Sequence, residues 1–285
     1  MVRLGDICIQ ITDGSHNPPT GVGESKYLML SSKNIDDDCI TLNDPRYLSK
    51  DAFDTENKRT NIEANDLLMT IVGTIGRVAI VPNRLTNICV QRSVAVLKPK
   101  SDIVYNRFLM YYLQNMRPHL EQESRGVAQK GIYLKQIGNL AISLPPLDEQ
   151  RKIAAVLDKV SDLIAKRRQQ LDKLDELVKS RFVEMFGDPV SNSMGLPTES
   201  MTEVCAIIDG DRGKNYPKQD EFSDTGHCLF LNAKNVTTTG FSFENCMFIT
   251  REKDNALHNG KLERGDVVLT TRGTLGNLAF YDDSV

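Results

Sequence analysis

The chain has 285 residues, 40% hydrophobic and 26% charged, a balance ordinary for a folded chain of about two domains. A net charge of −3 excludes a general attraction to polyanions, so any nucleic-acid contact needs a local basic patch. No apolar run approaches the roughly 20 residues of a membrane span, the N-terminus MVRLGDICIQITDG has no apolar signal segment, and six cysteines without a C-x-x-C pair (Cys8, Cys39, Cys89, Cys205, Cys228, Cys246) argue against a zinc site or disulfides and for buried free thiols in a reducing cytoplasm.

The first part of the chain reads as mostly β. Leu67 to Ile71 and Val78 to Val81 are apolar runs on either side of Gly73-Thr74-Ile75-Gly76-Arg77. Ile88 to Leu97 predicts a further strand pair. Phe108 to Asn115 predicts a short helix that Pro118 ends or follows. Past Pro145-Pro146 a helix is predicted over Glu149–Phe186, capped by Asp148 and stopped by Gly187 and Asp188-Pro189. At ~1.5 Å per residue it is a rod of roughly 55 Å. Leu157, Ile164, Leu171, Val178 and Met185 fall seven apart, and Ile153, Val160 and Leu174 fill a companion column broken by Arg167 and Arg181. Such a stripe on so long a helix predicts a coiled-coil-like seam with a partner helix. The mid-helix cluster Lys166-Arg167-Arg168 reads as a solvated face supported by Asp162 and Asp172.

Beyond the rod the chain repeats itself, about 200 residues on. Leu4-Gly5-Asp6-Ile7-Cys8 is echoed by Met201-Thr202-Glu203-Val204-Cys205, and Tyr27 to Ile35 by Cys228 to Val236. Asn61 to Thr70 is echoed by Lys261 to Thr270, and GTIGRVAI by GTLGNLAF. Blocks in the same order at similar spacing mean two copies of one domain. The fold class is therefore α+β: two similar, mostly-β domains, 1–146 and 190–285, separated by a long coiled-coil-like helical segment, 147–189.

The stretch Ile137-Gly138-Asn139-Leu140-Ala141-Ile142-Ser143-Leu144-Pro145-Pro146-Leu147-Asp148-Glu149-Gln150-Arg151-Lys152-Ile153, with the exit Met185-Phe186-Gly187-Asp188-Pro189, resembles the specificity subunit of type I DNA restriction-modification systems. The resemblance implies two target-recognition domains that each read half of a split double-stranded DNA site, with helices ruling the gap. It implies that methylation and cleavage belong to partner methyltransferase and restriction subunits, that this chain is not itself an enzyme, and that it needs no cofactor or metal. The second copy stops at Val285, opposite about Leu85 of the first, so the resemblance also implies truncation within the second recognition domain. Its helix then pairs with another copy, as a homodimer, or with another chain. A helix-mediated dimeric scaffold and an inactive fragment are the alternatives.

The candidate DNA contacts follow from the repeat and the resemblance together. Thr74, Gly76 and Arg77 form a turn that either meets a phosphate or is a plain β-turn with positive-φ glycines. In the second copy Arg272 and Thr274 stand there and Asn277 replaces Arg77. Lys33-Asn34 and Lys234-Asn235 follow an apolar strand in both copies; lysine suits a phosphate and asparagine an adenine edge, or both end a strand in a solvated turn. Arg125, Gln129 and Lys130 form a basic Gly-rich loop, and Arg92 with Gln91 is a further reader. After Asp13-Gly14 and Asp209-Gly210 the two copies diverge, the second offering Arg212 and Lys214, as reading two different half-sites requires. Asn17-Pro18-Pro19-Thr20 is similar to an adenine N6-methyltransferase motif, but threonine stands where the stacking aromatic is needed. The four histidines have no metal-ligand spacing.

Overall fold

A computed structural model describes residues 1–124, 131–211, 213 and 215–282. The chain divides into two compact units, Met1–Arg181 and Phe182–Val285. In unit 1 the elements run β1 (Val2–Arg3), α1 (Leu4–Ile7), β2 (Cys8–Asp13), β3 (Tyr27–Leu30), a 3-10 turn (Ser32–Asn34), β4 (Ile35–Asp36), β5 (Cys39–Ile40), β6 (Arg46–Leu48), α2 (Lys50–Thr60), β7 (Leu67–Thr70), β8 (Val78–Ile80), β9 (Ile88–Val90) and β10 (Val94–Pro99). Three helices follow, α3 (Asn106–Asn115), α4 (Arg117–Glu123) and α5 (Leu134–Gly138), then β11 (Ala141–Ile142) and the long α6 (Leu147–Phe186).

The central sheet is antiparallel in the order β2-β10-β7-β8, and a second sheet runs β6-β3-β9 with β3 and β9 parallel. Successive side chains of a strand point to opposite faces. Leu67 and Met69 of β7 therefore join Leu97, Phe108, Leu109, Leu113 and Ile137 on the helix side. Leu68, between them, joins Leu30, Ile88, Val90 and Val96 toward the second sheet. A strand covered on both faces has no polar side to show, which is why residues 67–71 read as an apolar run broken only by Thr70, itself fully buried. The expected strand pair over 88–97 is not a hairpin. The Gln91–Ser93 turn sends β9 into one sheet and β10 into the other. Pro118 lies in the first turn of α4, where a missing N–H costs nothing, and so opens a second helix.

The long helix starts at Leu147, two residues before the expected Glu149, so Asp148 is not its cap but a first-turn acid. Gly187, at φ 75°, takes the left-handed conformation at its end and donates its N–H to Val183 O at 2.8 Å. Only Gln150 and Ala154 of α6 are buried, whereas its large apolar residues from Ile153 to Phe186 are 36–70% exposed. Arg167 bonds Gln170 at 2.9 Å, and no ion pair joins Asp162 or Asp172 to the basic cluster among the described residues, contrary to expectation.

Unit 2 repeats part of the element order: α7 (Met201–Val204), β12 (Cys228–Phe230), a 3-10 turn (Ala233–Asn235), β13 (Val236–Thr237), β14 (Gly240–Phe241), β15 (Met247–Ile249), α8 (Arg251–Ala256), β16 (Val267–Leu269) and β17 (Leu278–Phe280). Its pairings match those of unit 1: β12–β15 as β3–β6, β13–β14 as β4–β5, and β16–β17 as β7–β8. One face differs. Leu67, Met69 and Val78 are fully buried, while Val267, Leu269 and Leu278 at the same places are 53–60% exposed. In unit 1 that face is covered by α3; no helix covers it among the described residues of unit 2.

Candidate nucleic-acid interface

Four connections of unit 1 meet at one end of the central sheet, and backbone bonds hold them there. Ser15 N donates to Val90 O and Arg92 N returns a bond to Ser15 O, both at 2.9 Å. Gln91 N donates to Leu30 O at 2.9 Å, and Ser32 N to Ser93 Oγ at 3.1 Å. Ile71 N donates to Ser93 O at 2.9 Å, which brings in the 71–77 turn. Gly14 makes the crossing feasible: a Cβ there would lie 1.9 Å from Val90 O. Gly131 bridges Val72 at this same end.

Charge is distributed unevenly over that end. Lys33 and Arg92 are exposed with no ion pair for either side chain among the described residues, and Thr74 is exposed on the 71–77 turn. His16 lies 2.8 Å from Asp13, which also pairs with Arg59. Arg77 is half-buried, with Nη1 3.6 Å from Asp36, so its charge is already countered. In unit 2, Lys234, Arg272 and Thr274 are exposed, and no ion pair engages the two cations among the described residues. Arg125, Gln129, Lys130, Arg212 and Lys214 lie outside the described residues.

Three expected readers are builders of the fold instead. Asn34 is 2% exposed; its Oδ1 accepts from Ser31 N at 2.9 Å and its Nδ2 donates to Thr41 O and Asn43 O. Asn235 does the same with Asn232 N, Ser242 O and Asn245 O. A buried amide satisfied on both ends has nothing left for a base edge. Gly76 is buried at φ 81°, and a Cβ there would press on the Arg117 side chain at 3.1 Å. The turn also uses its own amides: Gly76 N bonds Thr70 O and Arg77 N bonds Thr70 Oγ1, repeated in unit 2 by Gly276 and Asn277 on Thr270. The plain-turn account thus covers residues 76 and 77, and the phosphate account is left with Thr74.

The family model for the type I restriction modification DNA specificity domain matches residues 2–176. The chain belongs to that family. It is 33% identical over 159 residues to the type I restriction enzyme EcoBI specificity subunit of Escherichia coli, covering 54% of this chain and 33% of that one. It is 24% identical over 229 residues to the MjaVIII specificity subunit of Methanocaldococcus jannaschii, covering 75% of this chain and 51% of that one. The solved HsdS subunit from Thermoanaerobacter tengcongensis is 27% identical, with a TM-score of 0.45, over 59% of this chain and 39% of that one. The chain thus spans between a third and about half the length of these curated relatives.

The specificity-domain match runs through the body of unit 1 and into α6, and the two are joined by polar side chains. Gln150, buried at the helix start, accepts from Tyr105 N at 2.8 Å and donates to Ile103 O at 3.1 Å and Pro145 O at 2.8 Å. Two turns on, Arg107 Nε of α3 donates to Asp158 Oδ1 at 2.7 Å, and Tyr111 Oη bonds the same oxygen at 2.7 Å and Ser161 Oγ at 3.3 Å. The rest of the Arg107 guanidinium clamps Asp38 through both carboxylate oxygens. Asp37 pairs with Arg117, whose Nε also reaches Gly76 O at 3.2 Å. Sequence reasoning missed Gln150, Arg107, Asp158 and the acidic run 36–38. A signal was present: where unit 1 has Asp36-Asp37-Asp38, unit 2 has Thr237-Thr238-Thr239.

Proposed function

We propose that this chain is a DNA sequence-recognition component of a type I restriction-modification complex. Each mostly-β unit reads one half of a bipartite site, and α6 sets the separation and docks methyltransferase subunits, through which a restriction subunit joins. The chain works by binding and geometry, without catalysis or a cofactor, in the cytoplasm beside the chromosome. Its functional domains are 1–146 and 190–285, with 147–189 as the spacer. Lys33, Arg92 and Thr74, and in unit 2 Lys234, Arg272 and Thr274, supply phosphate and base contacts, together with Arg125, Gln129, Lys130, Arg212 and Lys214.

Membership of the specificity family is the observation that carries this reading. The cation-bearing loops gathered at one end of the sheet agree with it, because recognition needs loops that vary on strands that do not. The uncovered apolar stripe of α6 also favours helix pairing, either with a second copy of this chain or with a helix of another subunit.

The test is co-purification with a type I methyltransferase subunit, followed by mapping of methylated adenines. A bipartite motif is expected. Absence of any DNA preference with the partner bound sinks the reading and leaves the scaffold alternative.

A further inference from the structure

We infer that Arg107 is a positioning residue that fixes the direction of α6 against the first recognition domain, and thereby the half-site separation the protein accepts. The spacing clause rests on the function proposed above; the joint itself does not.

The helix is held at two places. Gln150 is a buried pivot, and Asp158 with Ser161 is a second tie roughly 12 Å further along. Past this point every apolar side chain of α6 is a third or more exposed. One point of attachment leaves a rod free to swing; two fix its direction. From Asp158 to Phe186 the rod runs roughly 42 Å. A swing of about 10° at the joint carries its far end roughly 7 Å, or about two base-pair steps at about 3.4 Å each. Discrimination of a single base pair therefore demands a joint held to about 5°, which flexible packing at one pivot does not provide.

Arg107 has the chemistry for that task. Its planar fork holds Asp38 through two oxygens while Nε holds Asp158, so a single rigid group ties the β4–β5 turn to the rod. The turn is itself anchored, with Asp38 N on Val78 O at 3.0 Å. The neighbouring acids bind Arg77 and Arg117, so the ties run from the Gly73–Gly76 turn through α4 and α3 to α6.

The repeat shows that the hairpin alone does not require these acids. In unit 2 the hairpin closes in the same register, Val236 opposite Phe241 and Thr237 opposite Gly240, with threonines throughout the turn. Asn277 stands for Arg77 and bonds Val236 O at 3.0 Å. The acids appear in the copy from which α6 leads out.

The test compares wild type with Arg107→Lys, which keeps the charge and loses the fork, and Asp158→Ala, which removes the helix carboxylate that Arg107 and Tyr111 both hold and leaves the Arg107–Asp38 pair in place. With exposed Cys39 and Cys205 changed to Ser, spin labels at positions 58 and 179 report the distance distribution between domain and rod in the full chain. The width is expected to at least double in both variants, while the melting temperature falls by a few degrees at most. In the assembled methyltransferase complex, the preference for the cognate spacing over one altered by a single base pair should fall about tenfold, with cognate methylation falling less than about threefold. An unchanged distance width overturns the inference. A broadened width with unchanged spacing preference overturns the claim on spacing. Equal losses on all spacings mark a merely structural residue and also overturn it. A wild-type complex that methylates no bipartite site defeats the proposed function and with it the spacing claim, while the label distances still decide the joint.

Discussion

At Gly14 the two strand ends approach so closely that the absence of a side chain is a structural requirement. A methyl there would lie 1.9–2.7 Å from the backbone of Val90 and Gln91, whereas nothing lies within 4 Å of a Cβ at Gly210, its repeat counterpart. Gly14→Ala should lower stability by about 3 kcal/mol, because backbone must move, and Gly210→Ala by less than about 1 kcal/mol, a contrast that urea denaturation resolves. Asn34→Ala should cost about 2 kcal/mol by leaving Ser31 N and the carbonyls of Thr41 and Asn43 without this buried partner, while Lys33→Ala should leave the melting temperature unchanged and weaken DNA binding. The Lys-Asn pair was visible in the sequence as a repeated dipeptide, but which of the two faces solvent was not. Only the burial of the turn separates them. The cysteines divide likewise: Cys8 and Cys89 are buried, Cys39 and Cys205 exposed, and Cys228 and Cys246 half-buried, so the expectation of six buried thiols holds for two. Burial pushes the thiols of Cys8 and Cys89 up to about 12. A folded value above the ordinary ~8.5 means their stabilisation is complete below pH ~8.5 and is lost as pH rises toward 12. The melting temperature should therefore fall progressively above pH ~8.5, with a shallower fall in Cys89→Ala.

At the scale of elements, α6 was the most legible part of the chain. Forty residues without an interior proline or glycine, an apolar column every seven and a Gly-Asp-Pro stop leave a helix as the simplest outcome. Its start was legible only to within two residues, and the side chain that seats that end, Gln150, bonds partners 5 and about 45 residues away in sequence. Local pattern carries no trace of such partners. The stripe itself supports a sharp expectation. Leu171→Gln with Val178→Gln should leave the melting temperature of the isolated chain within about 2 °C, since both side chains are already in water. The same change should abolish co-purification with the methyltransferase subunit or self-association in sedimentation. Retained association would show that the stripe is not the contact.

For the molecule as a whole, the duplication was readable because turn-forming residues recur in order, and the structure returns the same pairings in both units. What the sequence did not show was the parallel partnership of β3 with β9, which joins strands some sixty residues apart. A net charge of −3 gives the surface little long-range pull on DNA, so affinity must come from a few local cations. Binding by the assembled complex should accordingly fall linearly on a log–log plot as salt rises, and Lys33→Ala or Arg92→Ala should each reduce that slope by about one.

The seat of Gln150 has a consequence for where such a chain would tolerate a graft. A genetic crossover placed at the prolines before the rod would graft a foreign head onto a socket shaped for another, losing the bonds that Ile103 and Tyr105 make with that glutamine. A crossover beyond Ser161 would carry the head together with its own hinge. On the function proposed above, a new target would be grafted most readily at that later seam, where the inherited shaft is plain helix.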